Sequence, residues 1–140
     1  METNSVYTIH TDGGSRGNPG PSGAGGVITD PTGTVVAEIS VYLGVATNNQ
    51  AEYRSLILTL ERAIEMDIKR VNCFMDSSLV VNQVNKRWKI NNETLVELCD
   101  QVNAIIVNFE SFRLTHIFRD SNKHADQLAN KAMDQQIEKN

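Results

Sequence analysis

The chain has 140 residues, 40% of them hydrophobic and 21% charged, with a formal net charge of −4; that is enough for one domain with its own core, and the composition is globular rather than disordered. No run approaches the roughly 18 uninterrupted apolar residues of a membrane span, and METNSVYT lacks the apolar centre of a signal peptide, so a cytoplasmic protein without membrane contact is expected. The acidic balance excludes gross electrostatic adhesion to nucleic acid but leaves room for a local basic face, since Lys86, Arg87 and Lys89 surround Trp88.

Residues 5–12, SVYTIHTD, alternate and are rich in β-branched and aromatic types, which predicts a first strand ending at Asp12. The stretch HTDGGSRGNPGPSGAGG, residues 10–26, then gathers seven glycines and two prolines behind that aspartate. Two more strands are read in residues 23–30, GAGGVITD, and 34–43, TVVAEISVYL. Asp30-Pro31-Thr32-Gly33 joins them as a hairpin turn, because proline sets its own φ and glycine accepts a positive one. These three strands form an antiparallel meander. Thr47-Asn48-Asn49-Gln50 has the spacing of a capping box, so a helix is predicted over 48–66 with Leu56, Ile57, Leu60, Ala63 and Ile64 on its apolar stripe.

Residues 69–76, KRVNCFMD, read as a fourth strand running straight into the helical segment SSLVVNQV. A strand, a long helix and another strand make a crossover, so the fourth strand should lie parallel to an earlier one. A second long helix is predicted over 92–108 through Leu95, Leu98, Val102, Ile105 and Ile106, and FRLTHIF gives a fifth strand. The last helix begins near Asn122 and turns Ala125, Leu128, Ala129, Ala132 and Met133 inward, while the final residues, QIEKN, are expected to fray. The economical arrangement is a single α/β domain over residues 1–140, a five-stranded mixed sheet of three antiparallel strands plus two parallel, flanked by helices.

Cys73 and Cys99 lie in apolar periodic segments without metal-like spacing and are read as buried, reduced thiols. The carboxylates are more informative. Asp12 and Asp76 end strands read as parallel neighbours, so both emerge at the carboxyl edge where such sheets place ligands. Glu52 heads the core-facing stripe of its helix, and Asp126 lies on or beside the buried face of the last one. Either acid alone could serve the helix dipole. Four at one rim repel one another and raise each other's pKa, so the cluster is stable as anions mainly with divalent cations bound. Oxygen-only ligands select Mg²⁺ or Mn²⁺ over Zn²⁺, and two such ions roughly 4 Å apart can activate a water and stabilise the leaving oxygen of a phosphodiester.

Asp12-Gly13-Gly14 with Gly17-Asn18-Pro19-Gly20-Pro21, then Thr47-Asn48-Asn49-Gln50-Ala51-Glu52-Tyr53, Asp76-Ser77, and Asn122-Lys123-His124-Ala125-Asp126-Gln127-Leu128-Ala129 resemble type 1 ribonuclease H in the correct order over nearly the whole chain. The resemblance implies the RNase H fold and endonucleolytic cleavage of the RNA strand of an RNA–DNA hybrid, giving 5′-phosphate and 3′-hydroxyl ends. It implies catalytic, metal-binding roles for Asp12, Glu52, Asp76 and Asp126 with two ions of Mg²⁺ or Mn²⁺. Asp12 would bridge both ions, Asp126 would share the ion that activates water, and Glu52 and Asp76 would hold the ion facing the leaving group. It also implies substrate contacts through Gly13, Gly14, Asn18, Asn48, Asn49 and Ser78, and a DNA phosphate gripped at Thr47. Polar amides suit the 2′-hydroxyl that distinguishes RNA from DNA. The glycine-rich stretch is then expected to bring bare main chain against the nucleic acid, stiffened by its prolines.

The sequence departs from the family pattern in three places. Only Phe118-Arg119-Asp120-Ser121 separates the fifth strand from Asn122, so the glycine-rich loop with its assisting histidine is missing. His124 is read as a surface residue of the last helix, and His10 and His116 as structural members of strands. Ser78 stands where the family often has glutamine. The basic protrusion is absent too, as in the archaeal-like and plant-like branch, with Lys86 to Lys89 either a remnant that meets the DNA strand or a solvated collar around a packed Trp88. Double-stranded RNA as a further substrate and a non-catalytic nucleic-acid-binding domain are the competing readings, and a monomer is expected.

Overall fold

The computed structural model describes residues 5–139, with side chains through residue 136. Ten elements follow one another: β1 (Tyr7–Ser15), β2 (Gly20–Thr29), β3 (Val35–Ala46), α1 (Asn48–Glu65), β4 (Arg70–Met75), α2 (Ser78–Val84), α3 (Glu93–Ile106), β5 (Ser111–His116), a single 3₁₀ turn (Arg119–Ser121) and α4 (Lys123–Lys139). The sheet order is β3-β2-β1-β4-β5. β1, β2 and β3 pair antiparallel, β4 lies parallel to β1, and β5 lies parallel to β4. The expected five-stranded mixed sheet is therefore present.

Local chemistry accounts for most boundaries. The Thr47 hydroxyl accepts from the Gln50 amide at 3.1 Å while the Gln50 side chain accepts from the Thr47 amide at 2.9 Å, closing the capping box that starts α1. Along β4 the alternation is strict, with Val71, Cys73 and Met75 buried and their neighbours half-buried. The turn between β2 and β3 is tied by Asp30, whose carboxylate accepts from the amides of Thr32 and Thr34 at 2.9 and 3.0 Å. The core lies between the sheet and α1, α2 and α3, around Ile9, Tyr53, Leu56, Leu60, Val71, Val80 and Val102. Both cysteines are buried free thiols, and burial raises the Cys73 pKa.

Strand boundaries differ from the sequence reading, one of them that of β3, which runs on to Ala46 rather than ending at Leu43. β1 does not end at Asp12 but continues three residues to Ser15, and β2 begins at Gly20 rather than near Gly23. Most of the glycine-rich stretch is thus strand, including six of its seven glycines. Glycine's weak strand preference is overridden there because β2 is paired on both sides and the end of β1 on one, and because both strands need room for helices, as set out below. The C-terminal backbone is helical through Lys139, and Asn140, last of the residues expected to fray, lies outside the described ones. Among the described residues, no helix is long and apolar enough to cross a membrane.

Candidate functional site

Asp12 in β1, Glu52 in α1 and Asp76 just after β4 each offer a carboxylate oxygen, and these oxygens lie within 4.8 Å of one another. Asp12 and Glu52 are only 7% and 5% exposed, while Asp76 is half-buried. Asp126, in the first turn of α4, stands beside this group of three rather than in it. All four acids line one open cavity of about 470 Å³, together with Arg16, Asn48, His116 and Arg119. The topology puts them there. The parallel pairing of β1 with β4 carries Asp12 and Asp76 to the same edge, and each of the other two acids arrives on a helix.

Glycines deliver those helices. A Cβ on Gly13 would stand 2.2 Å from the Ala51 carbonyl oxygen and 2.5 Å from the Glu52 nitrogen, so only glycine lets α1 settle on β1 next to Asp12. A Cβ on Gly25 would stand 2.1 Å from the Ala125 carbonyl oxygen. Gly25 is the residue opposite Asp12 in the β1–β2 ladder, and Asp126 follows Ala125. The contact thus brings α4 down where its aspartate meets Asp12. Gly23 and Gly25 meet α4, whereas Gly26 meets Thr59 of α1, so the two helices cover opposite faces of the strand. At Gly13, Gly23, Gly25 and Gly26 the space left by the absent side chain is filled by helices, so glycine is required there by packing.

The electrostatics follow from this crowding. Burial, then the neighbouring Glu52 charge, raises the Asp12 pKa well above the usual carboxylate range, and Asp126 against it adds to the rise. Burial and the charge of Asp76 raise Glu52 likewise, against the opposing bond in which Gly13 N–H donates to Glu52 Oε1 at 2.9 Å. Metal-free, the cluster resists full ionisation. Three carboxylates at this spacing, two of them buried, oxygen donors alone and with no ion pair to any of the three among the described residues, fit a hard divalent ion. Arg119 is a nearby positive charge, with its guanidinium 3.9 Å from Asp126 and largely exposed.

The residues expected to touch substrate are placed unevenly. Asn48 lines the main cavity, and Gly13 and Gly14 line it as well. Asn18, Thr47 and Asn49 line a second hollow of about 290 Å³ beside Gln50 and Asn92, and Asn18 Oδ1 accepts from the Asn48 amide at 3.0 Å. Ser78 is exposed outside both, its hydroxyl 3.2 Å from Asn82 Nδ2. His124 is on the surface as expected, 2.6 Å from Glu38, and His10 stacks on Phe74. His116 belongs to a strand as read, ending β5, but it is exposed at the cavity rim with its ring edge-on to Phe118.

Arg119 and Asn122 were given no role by the sequence reading. Arg119 carried no signal beyond standing in the shortened loop. Asn122 had one, a capping-type residue directly before a helix.

The family model described as "Reverse transcriptase-like" matches residues 10–132. A bifunctional protein of Mycobacterium tuberculosis is 45% identical over 127 residues, covering 90% of this chain, and the chain spans only 35% of that protein's length. The crystal structure of RNase H1 from Halobacterium salinarum superposes with a TM-score of 0.91 at 38% identity, over 93% of this chain and 98% of that one. The structure of the compost-derived LC11-RNase H1 in complex with an RNA/DNA hybrid superposes with a TM-score of 0.88 at 39% identity, over 94% of this chain and 99% of that one.

Proposed function

The chain belongs to the type 1 ribonuclease H family, and from that premise we propose that residues 1–140 form one catalytic domain that hydrolyses the RNA strand of RNA–DNA hybrids to 5′-phosphate and 3′-hydroxyl ends. The observation that carries this reading is the convergence of Asp12, Glu52 and Asp76 within 4.8 Å, with Asp126 on the same cavity wall. Divalent ions bound there, Mg²⁺ or Mn²⁺, supply an activated water and charge stabilisation for the leaving oxygen.

The chain's own groups do the rest. Asp12, Glu52 and Asp76 hold the ions, and the Gly13 amide fixes one oxygen of Glu52 so that the other is free to ligate. Asp126 takes its place at the open side of the group, where Arg119 offsets its charge. Arg16 and Arg119, the cations lining the cavity, attract the sugar-phosphate backbone that the four acids would otherwise repel. Asn48 at the cavity and Asn18 and Asn49 beside it offer amides to 2′-hydroxyls and minor-groove edges, and Thr47 lies where a DNA phosphate would be gripped. The LC11-RNase H1 complex supports the hybrid as substrate.

The test is cleavage of a strand-labelled hybrid beside a matched RNA duplex, with Mg²⁺, Mn²⁺ or excess chelator. Cleavage of the hybrid's RNA strand alone, only with metal, is expected. Digestion in chelator overturns the mechanism, and equal cleavage of both duplexes overturns the requirement for a DNA strand.

A further inference from the structure

Resting on that functional reading, we propose that Asn122 is a positioning residue whose side-chain amide holds the metal-binding carboxylates in register. Asn122 is 1% exposed, and an amide so deeply buried is costly unless its polar atoms are used. Its Nδ2 donates to the Thr11 carbonyl at 2.8 Å and lies 3.4 Å from Asp76 Oδ2. Its own carbonyl accepts from the Asp126 amide at 3.1 Å. One residue therefore touches the main chain just before Asp12, the side chain of Asp76 and the main chain of Asp126.

The orientation of the amide is dictated by its partners. Thr11 O and Asp76 Oδ2 are both acceptors, so only the NH₂ group fits against them, and Oδ1 is left with no partner among the described residues. That orphaned oxygen separates this role from ordinary helix capping. A capping asparagine spends its side-chain oxygen on the amides of its own helix. Asn122 turns its side chain away from α4 and spends the donor on β1 and on Asp76. The helix start is thereby bolted to the strand that carries Asp12 and to the carboxylate that follows β4. Loss of the donor frees the Asp76 rotamer and the seat of α4 together, and partners one step behind a metal ligand typically set about 10–100-fold in affinity.

Two variants separate positioning from capping. Asn122→Ala removes the whole amide, whereas Asn122→Ser supplies α4 with a capping hydroxyl but is too short to reach Thr11 and Asp76. Mn²⁺ binding by calorimetry should weaken at least about tenfold in both. The Mg²⁺ concentration for half-maximal hybrid cleavage should rise in step, with KM for the hybrid unchanged, and the thermal midpoint should recover in Asn122→Ser without recovery of metal affinity. Val102→Ala, a core change in α3 far from the acids in sequence, serves as a control for general loosening.

Wild-type Mn²⁺ affinity in Asn122→Ser, or an equal loss in Val102→Ala, overturns the proposal. Should neither Asn122 variant fold, the wild type carries the test: its Asn122 side-chain amide resonances should shift as Mg²⁺ is added, and no shift overturns it. Failure of the wild type itself to bind Mn²⁺ or cleave hybrid refutes the functional reading instead, so the two failures are distinguishable.

Discussion

Burial is the largest reason that Asp12 resists ionisation, with Glu52 the next, and Glu52 is burdened by its own burial and by Asp76 in turn. Both pKa values are raised on folding, so from about pH 4 upward the folded chain keeps protons that the unfolded chain has released. The stability of the metal-free protein therefore falls as pH rises through neutrality. Asp12→Asn removes one of the opposed charges at constant volume. It should abolish cleavage yet raise the thermal midpoint in chelator by a few degrees, roughly 1 kcal/mol or more, with a larger gain at pH 8 than at pH 5. Melting curves at the two pH values check this, and a gain that shrinks with pH would contradict it. Binding of Mg²⁺ must also expel the retained protons. Calorimetry in buffers of different ionisation heat should show net proton release at pH 7, and an affinity that strengthens from pH 6 to pH 8.

At the scale of elements, the site is assembled by close approach rather than by loops. Ala125, Ala129 and Ala132 give α4 a flat inner face, and Gly23 and Gly25 give β2 the matching absence of side chains. Gly25→Ala would drive a methyl group into the Ala125 carbonyl and lift α4, at a cost of about 1–3 kcal/mol. Because Asp126 rides on that turn, urea denaturation and hybrid cleavage should both suffer. Gly14→Ala, whose added methyl would meet only the end of the Met133 side chain at 3.5 Å, should leave stability nearly unchanged.

The contrast also shows what was legible in the sequence. The capping box at Thr47, the alternation of β4 and the crossover that makes β4 parallel to β1 are local or topological signals, and each was readable. The glycines were visible as a cluster but not as a seam, because their meaning lies in carbonyls of helices 38 to 106 residues away along the chain, Ala51 for Gly13 and Ala129 for Gly23. Asn122 stayed hidden for the same reason, its partner Thr11 lying 111 residues off.

For the molecule as a whole, the difficulty is charge: a chain of net −4 is proposed to bind a polyanion. Attraction must then come from places where cations are concentrated. Besides Arg16 and Arg119 at the cavity, another such place is the turn after α2, where Lys86, Arg87 and Lys89 are exposed around a Trp88 that is itself 49% exposed. The turn is held in shape, since the amides of Arg87 and Trp88 both donate to the Asn82 carbonyl and Lys86 adopts a left-handed φ of 63°. α2 begins two residues after Asp76 and, with seven residues, spans only about 10 Å, so this knob stands close to the acids along one short helix. A tryptophan that is 49% exposed is available to stack on a base or sugar, whereas a purely packed one would be covered. Replacing Lys86, Arg87 and Lys89 together by alanine should weaken hybrid binding at low salt and flatten the dependence of log K on log salt by up to about 0.9 per lost phosphate contact. Cleavage at saturating hybrid and metal should be unchanged, because the acids are untouched. Trp88→Ala should lower affinity by about 1–3 kcal/mol with little change in thermal midpoint. A fall in the midpoint with affinity intact would instead assign Trp88 to packing and its basic neighbours to a solvated collar, and the cavity arginines would be left to recruit the hybrid alone.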